Sequence, residues 1–420
     1  MAKIAFLFPG QGAHYVGMGK NLYQSFAEAR ETFEEANQVL EFDLKKLCFE
    51  GNMDELTKTE NTQPAILTVS VAAYRVYMKE IGVKPDFMAG HSLGEISALC
   101  SAGALDFPDA LRIVRQRGKF MQEAVTPGIG GMAAVNGVPP SIVADVCQKV
   151  STEVELVVVS NYNSPNQIVI SGHQKALQKA GEKLKTAGAT VIPLRVSAPF
   201  HSPLMKPAAD RLKLELEKYT FSQFKYEVIS NVTAEPYPDQ GSIKEYLTKQ
   251  LVHGVRWLDS MEYLIAQGVE LTVELGPQTV LRNLMKRIAP QIKSYAYDDA
   301  TDRRALKTEL TVVEQQPEQI KKGMDFIIKC IAEAICTKNN NHDEQEYQKG
   351  VVEPYRQVTR MKEEIEKANR EPTAAEVRSA LEMLKRVFNT KKVPDEEQVA
   401  RFNALFETTQ INGVFNDFKY

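Results

Sequence analysis

Five apolar residues in a row, Ile4-Ala5-Phe6-Leu7-Phe8, are stopped by Pro9-Gly10-Gln11-Gly12. A strand without polar alternation has no face to give to water, so it needs a covering layer on each side. That is the setting of a parallel sheet between helices. Helical segments are expected at 15–23, 26–40 and, after a turn at Asn61-Thr62-Gln63-Pro64, at 65–81. A second short apolar run at 87–89 then enters Gly90-His91-Ser92-Leu93-Gly94-Glu95 and a helix of small residues through Cys100. Strands alternating with helices predict an α/β layer.

Between 127 and 197 the rhythm changes. A strand at 132–135, a helix at 139–150, strands at 154–160 and 167–171, a helix at 173–187 and a strand at 191–196 spell βαββαβ, a ferredoxin-like unit. Gly128, Gly130 and Gly131 on one side and the Pro199 turn on the other set it off as an insert. The α/β pattern resumes after His201, with a helix at 206–219, a strand at 226–229, helices at 243–250 and 260–267, a strand at 271–275 and a helix ending near Arg287. From about Glu314 glycines thin out, charges of both signs interleave, and 338–348 is polar almost throughout.

The expected fold class is therefore α/β. A large hydrolase-like domain with a mostly parallel sheet (1–126 and 198–310) carries an inserted ferredoxin-like α+β subdomain (127–197) and is followed by a C-terminal helical extension (315–420). The extension's helices are expected at 324–336, 351–368, 374–389 and 395–406. Val377, Leu381, Leu384 and Val387 form an apolar stripe at helical spacing, which most often packs on its own domain.

Composition removes several function classes. The chain has 420 residues, 43% hydrophobic and 25% charged, with a net charge of −3, so no strong field draws it onto nucleic acid or an anionic membrane. The first apolar run is too short for a secretory signal or a membrane span. Five cysteines, widely spaced and without a CxxC pair, argue against a disulfide framework and a zinc site. A cytoplasmic protein with reduced thiols is the expectation. Without a GxGxxG loop, a Walker pattern or a ligand cluster, no metal and no permanently bound cofactor are expected.

Gly90-His91-Ser92-Leu93-Gly94 fits G-x-S-x-G, in which flanking glycines permit a sharp strand-to-helix turn that exposes the serine hydroxyl. The helix starting at Leu93 would offer free backbone N–H groups to a developing oxyanion. The plainer alternative is a glycine-rich turn whose serine only caps the helix. A serine nucleophile needs a base, usually histidine. Of the six histidines, His91 is the serine's neighbour in the turn, His342 lies in the polar stretch, and His173 opens a helix of the insert. His14 and His253 stand near other suggestive residues, but His201 follows Pro199-Phe200 where the chain returns to the large domain and can cross over the turn. No aspartate offers itself as a third member, which leaves a carbonyl to orient the imidazole. Arg112, Arg115 and Arg117 share one helix, and composition alone reads them as a solvated face.

Together, Phe8-Pro9-Gly10-Gln11-Gly12, Asn61-Thr62-Gln63-Pro64-Ala65, the Gly90 to Glu95 turn, Arg115-Gln116-Arg117-Gly118, the segment Asn161 to Asn166 with Val169-Ile170-Ser171-Gly172, Pro199-Phe200-His201-Ser202 and Glu274-Leu275-Gly276-Pro277 resemble the motif series of the malonyl-CoA:acyl carrier protein transacylases. The resemblance covers about residues 1–305, with seven motifs in order. It implies ping-pong transfer in which Ser92 attacks the malonyl thioester with His201 as base, releases coenzyme A, and passes the acyl group to the phosphopantetheine of an acyl carrier protein. It further implies an oxyanion hole from the backbone N–H groups of Gln11 and Leu93, a Gln250 carbonyl that orients the histidine, and Arg117 as the clamp on the malonyl carboxylate. Phe200, His91 and Asn161 are implied to contact substrate.

Phe200 departs from the small residue found before the histidine in many stand-alone fatty-acid transacylases and resembles malonyl-loading polyketide acyltransferases. The family also has no need of a tail beyond 315. Both features tilt the expectation toward a discrete acyltransferase of a polyketide or related assembly line, with the tail as a docking element for a synthase module. Two other functions fit the same motifs: a hydrolase that passes the acyl-serine to water, and a docking protein with an inactive site.

Overall fold

The computed structural model describes residues 3–409 apart from 127, 195, 197 and 369, with the backbone alone at 311–322. Nine strands occur among the described residues: β1 (Lys3–Phe8), β2 (Phe87–Gly90), β3 (Gly130–Asn136), β4 (Val157–Ser164), β5 (Gln167–His173), β6 (Thr190–Pro193), β7 (Glu227–Ile229), β8 (Val269–Glu274) and β9 (Lys293–Ala296). By contacts the chain divides into two units, Met1–Lys307 and Thr308–Tyr420. Positions 127 and 197, where the insert is expected to begin and end, lie outside the described residues.

In the first unit β1 is the middle of a five-stranded sheet ordered β7-β2-β1-β8-β9, with every pairing parallel. Ala5 to Phe8 are fully buried, as an all-apolar strand requires. Ala5 and Leu7 face a core built with Trp257, Met261 and Leu284, from helices Trp257–Ala266 and Val280–Ile288. Phe6 points the other way and meets Tyr74 and Tyr77 edge-on, on helix Thr59–Glu80. Alternate side chains of one strand thus anchor both helical layers.

Several element boundaries differ from the sequence reading. The helix expected at 15–23 is Lys20–Ser25, because Gly17 and Gly19 adopt positive φ (105° and 77°) and hold the preceding residues in turns. Asn61-Thr62-Gln63-Pro64 is not a turn but lies inside helix Thr59–Glu80. Pro64 lacks the N–H that would bond the Glu60 carbonyl four residues back; Arg115 Nη1 donates to that carbonyl at 2.7 Å instead. A tertiary contact therefore supplies what the local sequence withholds. The strand expected at 154–160 runs three to four residues later, because Thr152 N–H bonds Glu155 O (2.7 Å) and closes a turn there. β9 was not foreseen.

The βαββαβ segment forms an antiparallel sheet ordered β4-β5-β3-β6, backed by helices Pro140–Val150 and Gln174–Thr186. Val135, Val143, Ile168, Ile170 and Leu184 fill the core between them. β4 shifts register between Val159 and Asn161, and there it joins the large sheet's surroundings: Val255 N–H bonds Ser160 O (2.8 Å) and Tyr162 N–H bonds Val255 O (2.9 Å). This seam brings Asn161 and Asn163 over the ends of β1 and β2.

The second unit is helical, with Glu353–Lys367, Ala374–Thr390 and Asp395–Thr409 following the end of helix Ala300–Cys336. The division between units falls within that helix. The expected stripe is buried, with Val377 at 5% exposure and Leu381, Leu384 and Val387 at 0%, against Phe326, Ile327 and Phe402. The polar stretch 338–348 contains a short helix, Glu344–Tyr347, started by Asp343, whose side chain accepts from Gln345 and Glu346 N–H. Among the described residues, no helix is long and apolar enough to cross a membrane.

Candidate active site

The parallel register puts Phe8 beside Gly90, so the turns that end β1 and β2 lie against each other. Ser92 sits at φ 53°, ψ −103°, where an L-residue is strained, and helix Leu93–Ser101 starts directly after it. The neighbouring glycines are steric necessities. A Cβ on Gly90 would lie 1.9 Å from the Gly94 carbonyl carbon, and one on Gly94 would lie 1.9 Å from Phe8 O. Gly10 faces the His91 carbonyl as closely, with a Cβ falling 2.3 Å from its oxygen. The strain is held from three sides. Ser92 N–H donates to Asn231 Oδ1 (2.7 Å), Asn231 Nδ2 donates to Gly90 O (2.7 Å), and Gln250 Nε2 donates to Ser92 O (3.0 Å).

His201 Nε2 is 2.8 Å from Ser92 Oγ, and its Nδ1 is 2.8 Å from the backbone oxygen of Gln250. A carbonyl can only accept, so Nδ1 carries the proton and Nε2 turns its lone pair toward the serine. Gln250 is the last residue of helix Ile243–Gln250, where carbonyls have no partner further along the helix. The ring is buried, and desolvation together with the nearby Arg117 charge pushes its pKa down to about 3. The imidazole is therefore neutral at neutral pH, the state in which an imidazole can accept a proton.

Arg117 lies on the buried face of helix Phe107–Glu123 and is 1% exposed. Its Nη2 donates to Gln250 Oε1 (2.8 Å) and to Ser92 Oγ (3.2 Å), while its Nε, equally buried, has no hydrogen-bond partner. Burial lowers its pKa only to about 10, so it stays charged. The other two arginines of the helix are elsewhere: Arg112 pairs with Asp109 at the surface, and Arg115 bonds Glu60 O and lies over the Phe42 ring. The solvated-face reading thus holds for Arg112 and not for Arg117.

Ser92, His201 and Arg117 open on one cavity of about 410 Å³. Gln11, Leu93, His91, Asn161 and Phe200 line it too, and Gln250 bonds three of the lining residues, Arg117, His201 and Ser92. Leu93 is the first residue of its helix, so its N–H has no carbonyl a turn behind to bond. The Ser92 N–H, by contrast, is taken by Asn231. His91 is held by Asn163 Oδ1 (2.8 Å) and packs against Trp257, with ring centroids 5.6 Å apart. Phe200 is 5% exposed.

Sequence reasoning missed five residues of this site. Asn163 lay inside a quoted motif without being singled out. Glu95, the residue after G-x-S-x-G, is fully buried and accepts from Gln250 Nε2 (2.6 Å), Asn231 N–H (3.1 Å) and the Tyr237 hydroxyl. Asn231 follows β7, and a polar residue just past the carboxyl end of a parallel strand is where such sheets place their sites. Tyr237 had no signal in the sequence. Gln63 also lines the cavity, 1% exposed, with its Oε1 unpartnered.

A family model described as acyl transferase domain matches residues 5–321. A malonyl CoA-acyl carrier protein transacylase of Bacillus subtilis is 41% identical over 399 residues, covering 95% of this chain and 99% of its own length. Another, from Bacillus subtilis strain 168, is 49% identical over 300 residues, covering 71% of this chain and 94% of its own. Among solved structures, a malonyl-transacylase in complex with its type II polyketide synthase acyl-carrier protein is 42% identical, with a TM-score of 0.70 over 72% of this chain and 97% of that one. The malonyl CoA-acyl carrier protein transacylase of Coxiella burnetii is 39% identical, with a TM-score of 0.72 over 74% and 98%.

Proposed function

The chain belongs to the acyl transferase domain family, among the malonyl-CoA:acyl carrier protein transacylases, and from that premise we propose how its residues carry the transfer. Ser92 Oγ attacks the thioester carbonyl of malonyl-CoA as its proton passes to His201 Nε2. The carbonyl oxygen takes the negative charge and meets the N–H groups of Leu93 and Gln11. The intermediate collapses by breaking the C–S bond, and the departing coenzyme A sulfur takes the proton from His201. The phosphopantetheine thiol of an acyl carrier protein then gives its proton to His201, attacks the malonyl-serine ester and restores the Ser92 hydroxyl. Coenzyme A and phosphopantetheine come and go with donor and carrier; nothing else need be bound.

One observation carries the substrate assignment: the buried Arg117 guanidinium reaches Ser92 Oγ and keeps its Nε unpartnered. A carboxylate held there by two parallel bonds gains about 1.5–3 kcal/mol per charge-assisted contact, a gain an acetyl group cannot make. Phe200, His91 and Asn161 shape the rest of the cavity, and Gln250 orients the base through its backbone oxygen. Intact mass after exposure to malonyl-CoA and acetyl-CoA tests the reading. Malonyl should add to the wild type, should not add to Ser92→Ala, and should lose its advantage over acetyl in Arg117→Ala. Persistence of the adduct until carrier protein is supplied distinguishes transfer from hydrolysis, which gains nothing from Arg117; an intact Ser92–His201 pair also argues against an inactive docking protein.

Residues 1–126 with 198–310 make the acyltransferase domain in this reading, 127–197 its ferredoxin-like insert, and 315–420 a helical extension. The Bacillus subtilis relative aligned over 399 residues spans 95% of this chain, the extension included, whereas a second relative from that species aligns over 300 residues, 94% of its own length. A relative matched over nearly the whole chain beside one matched over 71% of it fits a dedicated supplier of polyketide extender units, with the helices docking to a synthase module. Deleting 320–420 should then weaken complex formation with the synthase. Phe200 crowds the acyl α-carbon, so Phe200→Ser should raise methylmalonyl loading relative to malonyl; unchanged preference contradicts that role.

A further inference from the structure

Arg117 is a buried cation without a carboxylate in contact among the described residues. The carboxylate whose field reaches it is Glu95. The two are joined through one amide: Arg117 Nη2 donates to Gln250 Oε1 (2.8 Å), and Gln250 Nε2 donates to Glu95 Oε2 (2.6 Å). Neither end of that amide can be exchanged, since a guanidinium only donates and its opposite neighbours, Glu95, Ser92 O and Asn231 Oδ1, all accept. With Glu95 ionised, as it is above about pH 7, the free site holds one positive and one negative charge, both out of water. Adding the anionic end of a malonyl group to Arg117 leaves one negative charge too many in a desolvated pocket.

We propose that Glu95 is a specificity-determining residue that takes one proton from solvent as the substrate carboxylate settles on Arg117, so that the site accepts an anion without accumulating charge. This rests on Arg117 being the carboxylate clamp. The partners of Glu95 allow both protonation states without orphaning a group. Tyr237 donates its O–H to the carboxylate when Glu95 is ionised. When Glu95 is protonated, Tyr237 accepts from it and turns its own proton toward Ser230, the hydroxyl beside it. The bonds from Gln250 and Asn231 N–H are to the other oxygen and persist.

The groups that face Glu95 from the surrounding elements are Tyr237 after β7, with Tyr246 packed on it from helix Ile243–Gln250, and Arg117 from helix Phe107–Glu123. His201 and His91 lie beyond Ser92 and Gln250, and burial keeps both neutral. Desolvation already lifts the Glu95 pKa to about 7, against the pull of its donors and Arg117, so little further bias is needed to protonate it.

The test is calorimetric titration of malonyl-CoA into Ser92→Ala, which binds without reacting, in buffers of low and high ionisation enthalpy at pH 8. Uptake approaching one proton per malonyl-CoA is expected, with none for acetyl-CoA. Malonyl affinity should fall by about tenfold per pH unit above about pH 7. Adding Glu95→Gln, which imitates the protonated acid, should abolish both the uptake and the pH dependence. Malonyl binding with no proton uptake overturns the proposal, as does uptake that survives Glu95→Gln, which would assign the proton to His201. Should Glu95→Gln fail to fold, Tyr237→Phe in the Ser92→Ala background decides: losing a donor to Glu95, it should reduce the uptake at pH 8, and undiminished uptake overturns the assignment to Glu95. The clamp itself fails separately, if Arg117→Ala binds malonyl-CoA as tightly as its parent.

Discussion

Both units bury polar side chains, but they spend them on different partners. In the helical unit Lys391 Nζ bonds Ala334 O (2.8 Å) and Thr337 O (2.7 Å), Asn341 Nδ2 bonds Thr390 O (2.8 Å), and Gln398 Nε2 bonds Val393 O (2.9 Å). Each closes carbonyls at or near a helix end, Asn341 and Gln398 adding one side-chain partner apiece in Glu346 and Asn389, and the core between is apolar. In the acyltransferase unit the buried groups Glu95, Arg117, His201, Asn231 and Gln250 bond one another and Ser92 around a cavity. Positive φ at both Ser92 and His201 adds backbone strain there. Buried polarity that ends on backbone carbonyls completes a fold, while buried polarity that ends on other side chains, with an N–H left over, is arranged for a substrate.

That contrast can be broken most directly at Ser92. Ser92→Ala should lower transfer by a factor of about 10³ or more with little change in melting temperature, measured by carrier-protein loading and calorimetry. In the helical unit the effect should reverse. Leu384→Ala should cost about 2–5 kcal/mol of stability by urea unfolding and leave kcat for malonyl transfer unchanged. A large loss of kcat would mean that the two units share more than a chain. Arg117→Ala should lower kcat/KM for malonyl-CoA by at least roughly 10- to 150-fold, the equivalent of one such contact at about 1.5–3 kcal/mol, without a matching loss for acetyl-CoA.

Smaller effects sharpen the same comparison. His201 has a folded pKa of about 3 against an ordinary value near 6.5, so the unfolded chain binds the extra proton between those values. Its contribution to stability is complete above about pH 6.5 and declines as the pH falls toward 3. The urea-unfolding difference between wild type and His201→Gln should shrink across that window. Glu95, with its pKa raised, has the opposite slope: its contribution is complete below about pH 4.5 and declines as pH rises through 7. Last, Thr373 caps helix Ala374–Thr390 in a capping box with Glu376, and Thr373→Ala should cost about 1 kcal/mol in the helical unit while transfer stays the same.

Much of this site was written in short, local patterns. Gly90, Gly94 and Gly10 appear in sequence because a Cβ at any of them would strike backbone, so the elbow and the β1 turn announce themselves through residues that nothing else can replace. The apolar run of β1 declared a strand covered on both faces, and the period of the insert declared βαββαβ. Pro64 misled for the complementary reason: its missing N–H argues for a break, and only Arg115, more than fifty positions away, removes the need for one. Tyr237 left no pattern because its partner, Glu95, lies far off in the chain, and Asn231 gave only its place after β7, since its partners Ser92, Gly90 and Glu95 are all distant in sequence.

The chain by itself determined every strand but β9, the strained turn and the kinds of residue available for acyl transfer, since those follow from sterics and burial within a few neighbouring positions. Which arginine of three turns inward, which histidine meets the serine, and that Glu95 answers Arg117 through Gln250 were decided only when the parallel order β7-β2-β1-β8-β9 brought the ends of separate strands to one edge. Hydrogen bonds of that kind act over about 3 Å, a range in which sequence separation has no meaning.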